Sequence, residues 1–160
     1  MALNPILLIL GVLGFVEIAD RLSQSRKDKK IFISFSMKDR GLREMFVGQM
    51  KHPDVNYRFK DQSVREPWSK AWKTNCRERI QACDAVIILL TRNANEAKGV
   101  LWEAKCAVQE NKPVCLVYNK SYKPVRLAIE LKNIKKVAWT RENITKFVED
   151  LTPIKRTYSK

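Results

Sequence analysis

One carboxylate of the chain stands where a catalytic group of an α/β protein is expected. Glu103 follows Trp102 directly, on a short predicted helix that comes after the apolar run 84–91. Such a run is typical of a strand that is buried on both faces of a parallel sheet. Ligand sites of these sheets lie just beyond the carboxyl ends of the strands. We therefore take Glu103 as the candidate catalytic residue, at the edge of an α/β sheet.

Other catalytic chemistries lack their residues in this sequence. The cysteines have no CxxC pairing and the sole histidine, His52, is distant from them, so we expect no metal site and no Cys–His nucleophile. Three cysteines fall on predicted helices and one lies inside an apolar strand. We expect all of them to be small buried side chains in a reducing cytosol: Cys76, Cys83, Cys106 and Cys115.

The net charge of +14 at pH 7 is spread over every predicted helix. The sequence has no RNA-binding motif, no basic and aromatic repeat and no zinc-finger spacing, so nucleic acid is not an expected partner. An acidic membrane surface accounts for the charge more simply, and the same charge favours a ligand that carries a diphosphate.

The N-terminal segment predicts a membrane anchor. Residues 3–19 are mostly apolar, with Glu17 near the end, and about 18 residues at ~1.5 Å each reach about 27 Å, enough to span a thin bilayer. The segment lacks the basic leader and the small-residue cleavage site of a signal peptide, and the polar face of an in-plane helix. A core helix is the remaining alternative.

Five basic residues follow between positions 21 and 30, and the positive-inside rule then keeps the downstream domain in the cytoplasm. We therefore expect a single-pass protein of the cell membrane that contacts lipid through residues 3–19. The expected organisation is an anchor helix at 1–24, a basic linker at 25–30, one domain at 31–152 and a C-terminal tail at 153–160.

Strand and helix patterns alternate along the rest of the chain, and the connections are too long for hairpins. The predicted fold is therefore α/β, a flavodoxin-like parallel five-stranded sheet with helices on both faces, preceded by one N-terminal hydrophobic helix. The strands are predicted at 30–35, 56–61, 84–91, 113–118 and 134–139. Apolar markers of the first two helices are Leu42, Met45, Phe46 and Met50, then Trp68, Trp72, Cys76, Ile80 and Cys83.

In the flavodoxin-like order, the ends of the first three strands and the loops after them converge on one crevice. Most residues there also have a structural interpretation: a phenylalanine in a first strand is usually core, and a serine after a strand usually caps the next helix. An acidic residue after a strand is equally well explained as part of the first turn of a helix or as a residue of a loop turn. The helical spacing of Trp68 and Trp72 favours core packing. The candidate binding residues are Phe35, Ser36, Asp39, Asp61, Trp68 and Trp102.

Helical geometry sets the expected surroundings of Glu103. It places Glu103 at the margin of the buried face and turns Trp102 largely away, so Trp102 needs another partner. In the structural alternative, Glu103 is a solvated or salt-bridged side chain, with Arg92, Lys98 or Lys105 as its partner. The residues expected on the buried face are Val100, Leu101, Ala104, Ala107 and Val108.

These motifs together resemble a known family. The first strand with its following serine reads Ile-Phe-Ile-Ser-Phe-Ser over residues 31–36, and Asp39 is close behind. A loop with Trp68 and Trp72 precedes the strand 84–91, and Leu-Trp-Glu follows at 101–103. The pattern is similar to the TIR domain, in particular to the TIR-like branch of Thoeris anti-phage systems, over roughly residues 30–120.

The resemblance implies an enzyme that cleaves the nicotinamide–ribose bond of NAD⁺ to give ADP-ribose or a cyclised product. The glutamate that such members need matches Glu103, while Phe35 and Ser36 match positions of the nucleotide pocket and Trp68 falls in the mobile loop. NAD⁺ is then the substrate and no cofactor is expected. Self-association through the TIR-like domain, and a role in anti-phage defence or signalling, are implied as well.

A catalytically inactive TIR-like module that recruits other proteins is the alternative. A flavin-binding or phosphoryl-receiver protein of the same topology is disfavoured, because the third strand ends in Thr91 and Arg92 where a receiver needs a cluster of acids.

Overall fold

The computed structural model describes residues 27–55, 57–61, 63, 71–122 and 126–151. Within them lies a five-stranded sheet in the order β2-β1-β3-β4-β5, and every neighbouring pair of strands is parallel. This is the flavodoxin-like order, and it confirms the predicted α/β fold. The strands are β1 (Lys27–Ser34), β2 (Tyr57–Asp61), β3 (Ala85–Leu90), β4 (Val114–Tyr118) and β5 (Lys135–Ala138).

Helices accompany the strands on both faces of the sheet. Short 3-10 turns occur at Met37–Asp39 and Ile129–Leu131. The α-helices of the described residues are α1 (Arg40–Met50), α2 (Trp72–Ala82), α3 (Arg92–Glu96), α4 (Lys98–Gln109) and α5 (Arg141–Glu149).

The central strand β3 shows why both faces are covered. All six of its residues are buried, and side chains alternate between the two faces along a strand. Ile87 and Leu89 belong to a core with α1 and α5, whereas Val86 and Ile88 belong to a core with α2 and α4. Two apolar cores therefore flank the sheet, which is why β3 carries an unbroken apolar run.

Several positions differ from the expected pattern. Met45, expected on the apolar stripe of α1, is exposed, and the buried stripe runs through Arg43 and Phe46. Cys83, expected on a helix, follows α2 and is buried there. The first strand begins at Lys27 because residues 27–31 pair with β2, so it takes in most of the predicted basic linker.

Some predicted features lie outside the described residues: the anchor helix at 1–24, the start of the linker, Trp68 and the tail at 153–160. Of the helices that the structure does describe, none combines the length and the apolar character needed to cross a membrane.

Candidate functional site

Glu103 lies on the buried side of α4, and the residue is only 8% exposed. It shares that side with Val100, Ala104 and Ala107, at spacings of three and four residues that place side chains on one helical face. The buried face of α4 is thus rotated towards Glu103. The expectation that Glu103 lies at the margin of this face is wrong. The expected burial of Val108 is also wrong, since this residue is 55% exposed.

Two side chains from the core on this face hold the Glu103 carboxylate. Ser34, the last residue of β1, donates its hydroxyl to Oε2, and the Cys76 sulfur of α2 lies 3.7 Å from Oε1. Both residues are fully buried. Within the described part of the chain, none of the basic residues considered as partners forms an ion pair with Glu103.

Burial is the main influence on the acidity of Glu103. Loss of hydration disfavours the ionised form and raises the pKa from 4.5 to about 7, although the hydrogen bonds from Ser34 and Cys76 lower it. Protonated and ionised forms are therefore both populated near neutral pH. A carboxyl group in that state suits proton transfer or charge stabilisation at physiological pH.

Trp102, the neighbour of Glu103 in sequence, packs against Trp72 with ring centroids 5.1 Å apart. The Lys73 ammonium and the Arg77 guanidinium lie 6.0 Å and 5.9 Å from the centroid of the Trp102 ring. Trp102 is half-buried, and Trp72 supplies the partner that its position on α4 requires. An aromatic pair with cations near it therefore adjoins the segment that carries the carboxylate.

Phe35 and Asp61 lie on the other side of the sheet. Phe35 packs against the core of α1 and α5, and the Arg43 guanidinium carbon is 5.7 Å from its ring centroid. Asp61 forms an ion pair with the same Arg43 and accepts hydrogen bonds from the N–H and the hydroxyl of Ser63. The Arg43 and Asp61 side chains are 2% and 7% exposed, so this pair ties the end of β2 to α1.

Ser36 and Asp39 organise the segment after β1. The Ser36 hydroxyl accepts a hydrogen bond from the N–H of Lys38 at 3.4 Å and caps the 3-10 turn. The Asp39 carboxylate accepts from the Thr91 hydroxyl at 2.5 Å and from the Asn93 amide at 2.7 Å. Asp39 thereby joins the segment after β1 to the segment after β3.

The structure therefore divides the residues that the sequence assigned to one crevice. Glu103 and Trp102 belong to the side of α2 and α4, Phe35 and Asp61 belong to the side of α1, and Asp39 lies at the edge between them.

Ser34 and Arg43 are not among the residues expected from the sequence, and Cys76 is expected there only as a buried side chain of a helix. The two-residue spacing of Ser34 from Phe32 places both on one face of β1, and this was the available signal for Ser34. Arg43 stands three residues before the buried Phe46, which is a helical spacing that indicates burial.

A separate cleft of about 250 Å³ opens at the carboxyl ends of β3 and β4. Asp39 and Thr91 line it, whereas Glu103 does not. Among the described residues, no group of three or more His, Cys, Asp or Glu side chains is arranged to hold a metal ion.

Solved structures with a similar backbone include a CMP N-glycosidase from Clostridium botulinum and a 3-dehydroquinate dehydratase-like protein from Bifidobacterium longum. The first is 11% identical at a TM-score of 0.48, over 76% of this chain and 98% of that one. The second is 11% identical at a TM-score of 0.43, over 78% of this chain and 94% of that one. None of the curated proteins matches the chain.

The family comparison is more specific. Residues 32–124, which are more than half of the chain, match the family described as Thoeris protein ThsB, TIR-like domain. The matched segment contains the end of β1 and all of β2, β3 and β4, together with Ser34, Cys76 and Glu103. It also agrees with the segment in which the sequence motifs resemble TIR domains. The chain therefore belongs to the ThsB TIR-like domain family.

Proposed function

We propose that this protein cleaves the N-glycosidic bond between nicotinamide and ribose in NAD⁺, with Glu103 as the essential carboxylate. The observation that carries the proposal is the burial of Glu103 at the carboxyl end of β1, where Ser34 and Cys76 hold it and its pKa is raised to about 7. Carboxyl groups with strongly raised pKa values concentrate at functional sites. Membership of the ThsB family supports the same assignment.

The chemistry needs few protein groups. As the bond between the ribose C1′ and the nicotinamide nitrogen breaks, its electron pair leaves with the neutral nicotinamide, and positive charge develops on the ribose. An ionised Glu103 stabilises that charge, and this interaction is strong because the carboxylate is shielded from water. A water molecule then attacks C1′ and gives linear ADP-ribose, with its proton passing to Glu103 or to solvent, or a nitrogen of the adenine ring attacks C1′ and gives the cyclic product.

The contacts of the Glu103 carboxylate leave some of its acceptor positions unused. A carboxylate offers about four acceptor positions, and Ser34 and Cys76 occupy one on each oxygen. A cationic ligand such as the nicotinamide ring of NAD⁺ favours the ionised form of Glu103, because an opposite charge lowers the pKa of a carboxyl group. Substrate binding therefore prepares Glu103 for the step in which its charge is needed.

The candidate binding residues named from the sequence are part of this proposal, and the support for them differs. Trp102 is the first candidate for substrate contact, since it is half-buried in an aromatic pair on the same helix as Glu103. Substrate contacts by the other candidates stay predictions: Phe35, Ser36, Asp39, Asp61 and Trp68.

We further propose that the protein acts at the cell membrane in anti-phage defence or signalling. The apolar run within residues 3–19 supports an anchor with the domain in the cytoplasm. Self-association through the TIR-like domain is part of the proposal, with neighbouring copies completing the NAD⁺ site.

The test is the release of nicotinamide from NAD⁺ by the full chain, over a wide range of protein concentration because self-association is proposed. Glu103→Gln keeps the shape of the side chain but cannot ionise. Glu78→Gln, at an exposed position of α2, is the matched control. We expect Glu103→Gln to lower the rate about 100-fold or more, and the control to keep the rate of the parent. Turnover that ignores the Glu103 substitution would remove this residue from the mechanism.

A catalytically inactive interaction module is the second candidate. Its support is that Glu103 is enclosed by Ser34 and Cys76 and does not line the cleft of about 250 Å³ at the sheet edge. A complete lack of nicotinamide release at every protein concentration, from a protein that still self-associates, favours this module.

A further inference from the structure

The cleft at the carboxyl ends of β3 and β4 combines apolar and polar lining residues. Leu89, Leu90 and Val117 supply apolar surface from the strand ends, and Asn119 and Ser121 supply polar groups from the loop after β4. The carboxyl ends of parallel strands are where α/β sheets bind ligands. Glu103 does not line this cleft, and Asp39 is the one described residue that the cleft shares with the predicted substrate contacts.

Two aromatic side chains line the cleft, Trp139 and Tyr122. The Trp139 indole N–H donates to the side-chain oxygen of Gln49 at 2.6 Å, and its ring meets Phe46 edge-on with centroids 5.4 Å apart. These contacts hold the Trp139 ring in place, so a ligand that packs on it loses little affinity to side-chain ordering. A held aromatic ring is a good surface for stacking a flat ring.

The charges around the cleft favour an anionic group at one end. The guanidinium of Arg92 lines the cleft and makes no hydrogen bond or ion pair with any other residue that the structure describes. Burial raises the pKa of Tyr122, and the charge of Arg92 lowers it by more than the charge of Glu96 raises it. Asp39 already accepts hydrogen bonds at both carboxylate oxygens and repels an anion from its own end. An anion therefore belongs near Arg92, which is suited to bind phosphate or carboxylate in a forked geometry.

We propose that this cleft binds a small ligand that joins a flat aromatic ring to an anionic group, the class to which nucleoside monophosphates belong. Its volume of about 250 Å³ is just below the range of about 300–1,000 Å³ that encloses drug-sized ligands. A mononucleotide fits with part of it in solvent, whereas a whole dinucleotide such as NAD⁺ is too large. The proposed ligand is therefore smaller than the proposed substrate of Glu103.

An NMR titration of the full chain tests this, with AMP, adenosine and inorganic phosphate as separate probes. AMP is expected to shift the amide signals of Thr91, Arg92 and Tyr122 and the indole signal of Trp139, and to leave Glu103 unshifted. Adenosine lacks the anion and phosphate lacks the ring. Each is therefore expected to bind at least about tenfold more weakly than AMP. Failure of AMP to bind at concentrations up to about 10 mM overturns the proposal.

Two variants locate the anion. Arg92→Gln is expected to weaken AMP binding about fivefold or more and to leave adenosine binding unchanged. Arg58→Gln is the matched control, because Arg58 is an exposed arginine on the edge strand β2. Equal AMP affinity in Arg92→Gln and the parent contradicts the proposed position of the anion, and equal affinity for AMP and adenosine in the parent contradicts an anion site altogether.

Discussion

The hydroxyl of Ser34 donates a hydrogen bond to the carboxylate of Glu103 and so joins the end of β1 to a helix 69 residues further along the chain. The bond favours the ionised form of Glu103, against a burial that favours the protonated form. Ser34 is thus a positioning residue that also adjusts the acidity of the candidate catalytic group.

Ser34→Ala is therefore expected to raise the pKa of Glu103 further above its ordinary value. If the ionised form is required, the rate of nicotinamide release reaches half of its maximum at a higher pH than in the parent. Loss of one hydrogen bond to a charged group corresponds to about a tenfold lower rate near pH 7. The measurement is the pH profile of the rate.

Ser36→Ala is the control for that experiment. Ser36 is also buried, but its hydroxyl accepts from the N–H of Lys38 and does not contact Glu103. We expect it to lower the stability by about 1 kcal/mol through the lost cap and to leave the pH of half-maximal rate unchanged, even where loss of the predicted substrate contact lowers the rate itself. Superimposable pH profiles for Ser34→Ala and the parent would mean that Ser34 does not act on the acidity of Glu103.

The raised pKa of Glu103 also predicts how stability changes with pH. Between about pH 4.5, the ordinary pKa of the group, and about pH 7, the folded state holds a proton that the unfolded state has released. The free energy of unfolding therefore falls as the pH rises through this window, by about 3 kcal/mol in total, and this contribution is constant outside it.

Glu103→Gln removes this contribution. Urea unfolding of the parent and Glu103→Gln, at several pH values between about 4 and 8, is the measurement, and the other titrating groups cancel in the difference. We expect the variant to gain stability relative to the parent as the pH rises. A difference that stays constant with pH contradicts the buried, raised pKa.

The buried ion pair between Asp61 and Arg43 is expected to stabilise the fold. Among the described residues, Asp61→Asn leaves the buried Arg43 charge with the exposed Glu44 as its charged partner, and we expect a loss of about 3 kcal/mol in urea unfolding. Adding Arg43→Met to the same chain should restore more than half of the loss, because the unpaired charge is then gone. A rise in the KM for NAD⁺ with unchanged stability would instead support the predicted contact of Asp61 with substrate.

The order of the sheet follows from the sequence because it depends on patterns within single segments. The apolar run of β3 and the alternation of strand and helix predict a parallel sheet with both faces covered. The position of Glu103 at the edge of the sheet follows from the same reasoning. These features need no knowledge of which side chains meet across the fold.

The burial of Glu103 could not be predicted in this way. Whether a carboxylate enters a core depends on donors from other elements, and Ser34 and Cys76 lie 69 and 27 residues away in the chain. The separation of Asp61 from Glu103 has a similar cause, because the pairing with Arg43 turns Asp61 towards α1. Periodicity describes one helix or strand at a time and does not contain such pairs.

The proposed anchor predicts how the full chain partitions. Membranes that carry the protein are washed at alkaline pH and then extracted with detergent. We expect the full chain to stay with the membrane pellet and to enter detergent, because about 18 mostly apolar residues reach across a thin bilayer. A chain that begins at residue 25 is the control and should stay in the wash. Release of the full chain by the wash excludes a spanning anchor.

The most direct test of the account is the initial rate of nicotinamide release from NAD⁺ by the parent and by Glu103→Gln, at equal amounts of folded protein. We expect release by the parent, and a rate at least about 100-fold lower when the carboxylate of Glu103 is replaced by an amide. Equal rates in the two proteins, or no release by a folded and self-associated parent, would contradict it.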